Sequence, residues 1–129
     1  MRHVKDVGIR ARDADASGHV ARSAVLLCFE EARDEWLEVA GGSPGTALSY
    51  LVRRIDITYA ADISPAAGSV EVAIELDALG TSSIRLRETL TVGPGRVVAA
   101  TNRSVLVHVD EAGTAAVPLP AEFRARLAT

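Results

Sequence analysis

The sequence contains too little cysteine for a disulfide framework and too little basic charge for a nucleic-acid surface. Its 129 residues include one cysteine, and 14 lysine and arginine residues stand against 17 aspartate and glutamate residues. A single cysteine excludes an internal disulfide and a cysteine metal cluster. The net charge of -3 argues against a nucleic-acid partner, which requires a basic face. We expect neither a metal site nor a cofactor.

Long hydrophobic runs and targeting segments are also missing. The longest clearly apolar run, residues 24–29, is far shorter than the roughly 20 residues that cross a membrane. The opening "MRHVKDVGIRARD" lacks the apolar core of a signal peptide. No linker, repeat or low-complexity tract divides the chain. We therefore expect one domain over residues 1–129, cytoplasmic and without a membrane partner; the scarcity of lysine beside arginine indicates a GC-rich, bacterial genome.

One long helix is indicated by a three- and four-residue apolar period. Val25, Phe29, Ala32 and Trp36 form the apolar stripe of "SAVLLCFEEARDEWLEVAGG". Two glycines end the predicted helix, and the proline at position 44 prevents its continuation. The first half, residues 24–29, is apolar all round and is expected to be enclosed. The charged residues of the second half are expected on the opposite, polar side: Glu30, Glu31, Arg33, Asp34 and Glu38.

After this helix the apolar period changes to two, which is typical of strands. Strands are predicted after the helix near residues 54–59, 70–77, 84–92 and 97–109, and the opening segment near residues 3–11 adds one before it. A short helix is predicted over 120–127, with Pro120 at its first position. The short turns favour antiparallel pairing. The expected fold is α+β, an antiparallel sheet of about five strands wrapped around one long central helix. Glu88 interrupts an inward face, where a carboxylate is costly unless it has a partner.

The stretch "RDADASGHV", residues 12–20, allows two interpretations from the residues alone. Asp13, Asp15, Ser17 and Gly18 occupy the spacing of an EF-hand calcium loop, but the twelfth position, which needs a bidentate glutamate, is Ala24. Alternatively, the aspartates and serine form a hydrogen-bonded turn ahead of the helix.

A family resemblance adds a third interpretation of this stretch. "DADASGHV" followed by "FEEARDEWL" resembles the pattern of hotdog-fold acyl-CoA thioesterases related to 4-hydroxybenzoyl-CoA thioesterase, a D-x-D-x-x-G-H-V loop and then an aromatic-E-x-A-R helix segment. "RRIDITY", "LGTSSIRLRETL" and "PLPAEFRARL" are similar to later segments of that family, so the resemblance spans nearly the whole chain. It implies a hotdog fold, a homodimer or homotetramer with active sites at the subunit interface, and an acyl-CoA or acyl-carrier-protein substrate.

The resemblance places the family's catalytic carboxylate on Asp15. An ionised carboxylate can attack a thioester carbonyl directly or deprotonate a water molecule, and these two roles stay open. His19 is the second candidate catalytic residue, and two roles stay open for its imidazole: a hydrogen bond to the substrate or one to a loop carbonyl. Asp13 and Gly18 are expected to support the loop, Gly18 by adopting a backbone conformation closed to other residues.

The expected substrate-binding residues are Val25, Phe29, Tyr59, Ser82, Ser83 and Arg85. The chain departs from the family pattern near the pocket, since Ala21 and Arg22 replace an asparagine pair and Val25 replaces an aromatic residue. These departures leave the acyl group undefined. The loss of the helix aromatic residue, together with Ser82 and Ser83 at positions where relatives contact CoA with more basic residues, favours an alternative function. This alternative is a hotdog protein that binds acyl groups or serves in assembly without turnover. The hydratase motif that occurs on the same fold is absent from this sequence.

Overall fold

The structure is a computed structural model that describes residues 2–41 and 49–127. In these ranges the chain forms the following elements: β1 (Arg2–Gly8), α1 (Arg22–Gly41), β2 (Tyr50–Tyr59), β3 (Ser69–Leu79), β4 (Ser83–Val92), β5 (Val97–His108) and α2 (Ala121–Leu127). Two short 3-10 segments lie at Ala11–Asp13 and Pro65–Ala67. Neither helix in the described ranges has the length and hydrophobicity of a membrane span.

The strands form one antiparallel sheet in the order β1-β3-β4-β5-β2. The long helix α1 packs against β3, β1 and α2. Phe29, Trp36 and Leu37 of α1 are fully buried and join the side chains of β3, β4 and β5 in one hydrophobic cluster. The prediction of a five-stranded antiparallel sheet around one long helix is therefore confirmed. β1 and β2 are the edge strands of this sheet.

Element boundaries agree with the prediction within a few residues. β1 ends at Gly8 instead of continuing to residue 11, because the chain turns into the 3-10 segment that leads to the aspartate loop. β2 begins at Tyr50, four residues earlier than predicted. Pro120 lies just before the first residue of α2, where its carbonyl accepts a hydrogen bond from Arg124 N at 3.1 Å. The predicted helix stop begins at Gly41, which is the last described residue of α1; its other residues, 42 and 44, fall outside the described residues.

Two predictions about the environment of α1 are wrong. Arg33 was expected on the polar side of the helix, but its side chain is completely buried. Leu27 was expected to be enclosed, but 61% of it is exposed in the protomer. The apolar period of the sequence therefore does not separate the charged and apolar sides of α1 completely. A buried acidic partner holds the Arg33 side chain in the core.

That partner is Glu88, whose pairing was an open question of the sequence. Arg33 Nε and Nη2 donate to Glu88 Oε2 and Oε1 at 2.8 and 2.9 Å, while Asn102 Nδ2 and Ser104 Oγ donate to the same carboxylate at 2.7 and 2.8 Å. All four residues are at most 2% exposed. Burial by itself would lower the pKa of Arg33, but the hydrogen bonds and charge of Glu88 outweigh it and raise that pKa. The core therefore contains a charged pair whose carboxylate has four donors.

Candidate active site

The loop between β1 and α1 is closed by its own backbone. Asp15 N donates to His19 O at 2.7 Å, and Gly18 N donates to Asp15 O at 3.1 Å. Val20 N then donates to Ile63 O at 2.8 Å, which ties the loop to the segment after β2. The last loop residue, Ala21, accepts the first backbone hydrogen bond of α1, from Val25 N at 3.1 Å. Asp15 is thus fixed a few residues before the start of the helix.

The two carboxylate oxygens of Asp15 have different environments. Oδ1 accepts three hydrogen bonds, from Ser17 N at 2.9 Å, Ser17 Oγ at 2.5 Å and His19 N at 3.2 Å. No residue of the described ranges donates a hydrogen bond to Oδ2. The hydrogen bond from the Ser17 hydroxyl is the main reason that the pKa of Asp15 is lowered from its ordinary value, with the backbone donors adding to it. Asp15 is therefore an exposed, ionised carboxylate with one oxygen held in the loop and one oxygen unengaged.

The other predicted loop residues, His19 and Asp13, lie differently relative to this carboxylate. His19 Nδ1 lies 3.1 Å from Ser17 Oγ. Asp13 turns away from Asp15, since its Oδ2 accepts a hydrogen bond from Arg10 N at 2.8 Å and its backbone carbonyl accepts one from Ala21 N at 2.8 Å. The carboxylates of Asp13 and Asp15 accept hydrogen bonds from different backbone N–H groups, and their oxygens do not face a common position. This geometry is that of a hydrogen-bonded turn and differs from a calcium loop, whose oxygens surround a single ion.

The backbone conformation at position 18 is expected to require glycine. Its φ is 85°, and an added Cβ would meet nothing within 4 Å, so the cost of a side chain is conformational and not steric crowding. We predict that Gly18→Ala lowers the free energy of unfolding by about 1 to 2 kcal/mol, and therefore the thermal midpoint by about 4 to 7 °C. Gly8→Ala is the matched control, because Gly8 also has open space around it and has no positive φ. Equal midpoints for the two variants would contradict the prediction.

A cavity of about 220 Å³ adjoins the Asp15 loop. Its polar lining residues are Asp15, Ser17, His19, Arg22 and Asp62, and its apolar ones are Val20, Val25, Tyr59, Ala61, Ile63, Ala99 and Ala100. Arg22, the first residue of α1, places its guanidinium carbon 4.1 Å from the centroid of the Tyr59 ring. The cavity is thus bounded by the aspartate loop, the start of α1, the end of β2 and the start of β5.

The structure brings together four of the predicted site residues, namely Asp15, His19, Val25 and Tyr59, at this cavity. Phe29 lies in the core with no exposed surface. Ser82, Ser83 and Arg85 lie at the opposite end of the sheet. The cavity residue Ala100 pairs with Leu90 of β4. Ser83 lies seven residues before Leu90 on the same strand, so the two are separated by roughly 23 Å. Within one protomer these three residues do not reach the cavity, and their role in substrate binding stays a prediction.

Several cavity residues were not identified from the sequence. Asp62 and Ile63 follow β2 in a segment with no recognisable motif, and Ala99 is a small residue inside a strand pattern. Arg22 was noted as a departure from the family pattern without a role. Its position two residues after the "DADASGHV" loop was the signal available, because a residue at the start of a helix lies close to the loop that precedes the helix.

Comparison with known proteins identifies the class of protein that this fold and loop define. The family model of the thioesterase-like superfamily matches residues 9–127, so the chain belongs to that superfamily. None of the curated proteins matches the chain.

Solved structures similar to this chain include three proteins with nearly the same fold. A thioesterase from Thermus thermophilus, in complex with coenzyme A and Zn, is 28% identical, with 98% of each chain covered and a TM-score of 0.86. The protein SAV2348 from Staphylococcus aureus, in complex with CoA, is 16% identical, with 99% of this chain and 82% of that chain covered and a TM-score of 0.87. A 1,4-dihydroxy-2-naphthoyl-CoA thioesterase from Synechocystis is 14% identical, with 99% and 96% covered and a TM-score of 0.85. These similarities confirm the hotdog fold, and the superfamily supports thioester hydrolysis as the class of reaction.

Proposed function

We propose that the protein is a thioesterase that hydrolyses an acyl-CoA or acyl-carrier-protein thioester, with Asp15 as the catalytic carboxylate. The observation that carries the proposal is the unengaged Oδ2 of Asp15, which belongs to an ionised carboxylate at the wall of a cavity. Membership of the thioesterase-like superfamily and the CoA-bound relatives support the choice of substrate class.

The chemistry requires one basic oxygen and a site for developing negative charge. Oδ2 of Asp15 either attacks the thioester carbon or removes a proton from the attacking water molecule. In both routes water supplies the hydroxyl of the product acid, the C–S bond breaks, and a thiol is released. The first N–H groups of α1, beginning at Arg22, have no carbonyl acceptor within the helix. They start at the cavity wall and are suited to stabilise the oxyanion.

The proposed assembly is a homodimer or homotetramer. β2 is an open edge of the sheet, and it exposes 53% of Leu51 and 38% of both Val52 and Ile55. An apolar edge strand of this kind normally has a partner. A second copy on this edge would cover these side chains. It would also provide a route by which residues at the start of β4, including Ser83 and Arg85, approach the cavity of the other subunit.

The test is release of free thiol from a panel of short, long and aromatic acyl-CoAs by the wild type and by Asp15→Asn. Turnover by the wild type that is lost in the variant supports the proposal. Turnover that the variant retains would remove Asp15 from the mechanism. A binding protein without turnover is the second candidate, because the three hydrogen bonds of Oδ1 alone would suit a structural turn. Binding of acyl-CoA without thiol release would favour that candidate.

Ser17→Ala is predicted to change the pH dependence of turnover. The Ser17 hydroxyl is the main cause of the lowered pKa of Asp15, so its removal raises that pKa toward the ordinary value. Asp15 then becomes protonated at a higher pH when the solution is acidified. The acidic limb of the kcat/KM profile is expected to move to higher pH, with the plateau near neutrality largely retained.

The matched control for this prediction is Ser64→Ala. Ser64 also makes a turn hydrogen bond, in which its Oγ accepts from Ala66 N at 3.2 Å, but it does not contact Asp15. Its variant is expected to keep the wild-type acidic limb. An acidic limb that is the same in Ser17→Ala and Ser64→Ala would show that the titrating group is not Asp15.

A further inference from the structure

Arg22 is a cation at the cavity wall that has no acidic partner among the described residues. Its side chain is exposed, and its guanidinium lies over the Tyr59 ring, 4.1 Å from the centroid. Within residues 2–41 and 49–127, no carboxylate oxygen lies within 4.0 Å of its guanidinium nitrogens. The thioester mechanism described above does not use this side chain. Its charge is therefore available to a ligand.

The stacking of the Arg22 guanidinium on the Tyr59 ring determines which ligand Arg22 can bind. A guanidinium that lies on an aromatic face keeps the N–H groups of its edge free. Those donors form a planar fork that matches the two oxygens of a carboxylate. Stacking on Tyr59 also restricts the flexible arginine side chain before the ligand arrives, which reduces the entropy lost on binding.

We propose that Arg22 binds a carboxylate carried by the acyl group, so that the substrates are thioesters of short dicarboxylic acids. The inference rests on the proposed thioesterase function and names its substrate class. Asp15 acts on the thioester carbon at one side of the cavity, while Arg22 and Tyr59 hold the far end of the acyl chain.

The size of the cavity assigns the anion to the acyl group and not to the phosphates of coenzyme A. A volume of about 220 Å³ would be filled by a sphere about 7 Å across. The pantetheine arm separates the thioester sulfur of coenzyme A from its phosphates by a length comparable to about four extended residues, on the order of 13 Å. An anion that contacts Arg22 while Asp15 reaches the thioester must therefore lie on the acyl side.

Two carboxylates line the same cavity and oppose an anionic ligand. The charge of Asp15 is partly engaged by the three hydrogen bonds to its Oδ1, whereas Asp62 is exposed and repels a second carboxylate. His19 is the remaining titratable group at the cavity. Arg22 should thus increase the preference for an acyl group that carries a carboxylate, and Asp62 should decrease it. Substitution of each residue therefore tests the inference with an opposite expected result.

The experiment compares kcat/KM for glutaryl-CoA with kcat/KM for hexanoyl-CoA, which has a similar length and no carboxylate. The wild type is expected to prefer glutaryl-CoA, and Arg22→Gln is expected to lower the ratio of the two values by tenfold or more. Asp62→Asn is expected to raise that ratio. Arg12→Gln is the matched control, because Arg12 is an exposed arginine in the segment before the loop and does not line the cavity.

Variants of Tyr59 test whether the ring positions the guanidinium. Tyr59→Phe keeps an aromatic face and is expected to retain most of the preference for glutaryl-CoA. Tyr59→Leu removes the face and is expected to lose a large part of it. Arg22→Lys keeps the charge but not the planar fork, so its ratio should lie between those of the wild type and Arg22→Gln. Thermal unfolding of each variant checks that the protein is folded.

Some outcomes overturn the inference and leave the proposed function intact. If the wild type hydrolyses both substrates with equal kcat/KM, or if Arg22→Gln lowers both values equally, Arg22 does not bind the carboxylate of the acyl group. An equal loss would place Arg22 on the shared coenzyme A portion. If no acyl-CoA is hydrolysed, the acyl-CoA form of the proposed function fails, and calorimetric binding of glutaryl-CoA and hexanoyl-CoA tests the inference instead. Equal dissociation constants for the two would then overturn it.

Discussion

Glu88→Gln is expected to lower the free energy of unfolding by about 3 to 5 kcal/mol. The substitution keeps the size of the side chain but removes the charge that compensates the buried Arg33 guanidinium, whose Nε and Nη2 donate to Glu88 at 2.8 and 2.9 Å. Typical domains are stable by only about 5 to 15 kcal/mol, so this loss is a large share of the total. Urea unfolding at neutral pH measures it.

The matched control for Glu88→Gln is Asp77→Asn. Asp77 also pairs with an arginine, Arg87, at 3.6 Å, but the two side chains are 41% and 51% exposed. A solvent-exposed pair of this kind contributes about 0 to 1 kcal/mol, so a small change is expected. Arg33→Met should be as costly as Glu88→Gln, since it leaves the carboxylate buried without its cation, while Asn102 and Ser104 still donate to it. A loss below 1 kcal/mol in both core variants would contradict the assigned pairing.

Asp15→Asn is expected to lower kcat/KM for the best acyl-CoA by a hundredfold or more without changing the thermal midpoint. Asparagine keeps an acceptor oxygen in place of Oδ1, so the hydrogen bonds from Ser17 N, Ser17 Oγ and His19 N can persist. The amide nitrogen that replaces Oδ2 is neither a nucleophile nor a base. Asp15→Ala removes both oxygens and should lose activity and loop stability together. Comparing the two variants separates the structural oxygen from the reactive one.

The chain offers a close control for Asp15→Asn in the turn at Asp110. Asp110 Oδ1 accepts a hydrogen bond from Thr114 N at 2.9 Å, Gly113 N donates to Asp110 O at 2.9 Å, and the pKa of Asp110 is lowered mainly by the Thr114 backbone donor. This turn shares with the Asp15 loop a donor to Oδ1 from residue i+4 and to the backbone carbonyl from residue i+3, and it lies away from the cavity. Asp110→Asn should retain wild-type turnover. Equal losses in the two variants would show that folding, and not chemistry, was affected.

The comparison of these turns also shows what the sequence could and could not predict about the site. Both "DASGH" and "DEAGT" have the residues of an aspartate turn, and both fold as one. Local chemistry therefore does not distinguish them. The resemblance of the "DADASGHV" loop and the following helix to a thioesterase family pointed to Asp15, and the fold places Asp15 at a cavity. Asp62 and Ala99 reach that cavity only through the sheet topology, so no local pattern could identify them.

In the fold, every strand and both α-helices of the described ranges were predicted, most of them from apolar periodicity, but the contents of the core were not. Glu88 was correctly placed on an inward face by strand alternation. Its partner was missed, because Arg33 sits among acidic residues on α1 that are typical of a solvated helix face. The pairing joins residues 55 positions apart, and a helical period cannot show which member of a charged run is buried opposite a carboxylate.

The hydrogen bonds that hold Asp15 all come from residues within four positions of it, whereas the core network joins α1 to β4 and β5 across 14 to 55 positions. The hydrogen bonds that orient Oδ2, the proposed reactive oxygen, thus lie within one pentapeptide, residues 15–19. Substitutions that weaken the core should reduce the amount of folded protein while leaving each folded molecule fully competent. Natural variation in the core and in the loop can then accumulate independently, and laboratory evolution of specificity at the cavity can proceed on a separately stabilised scaffold.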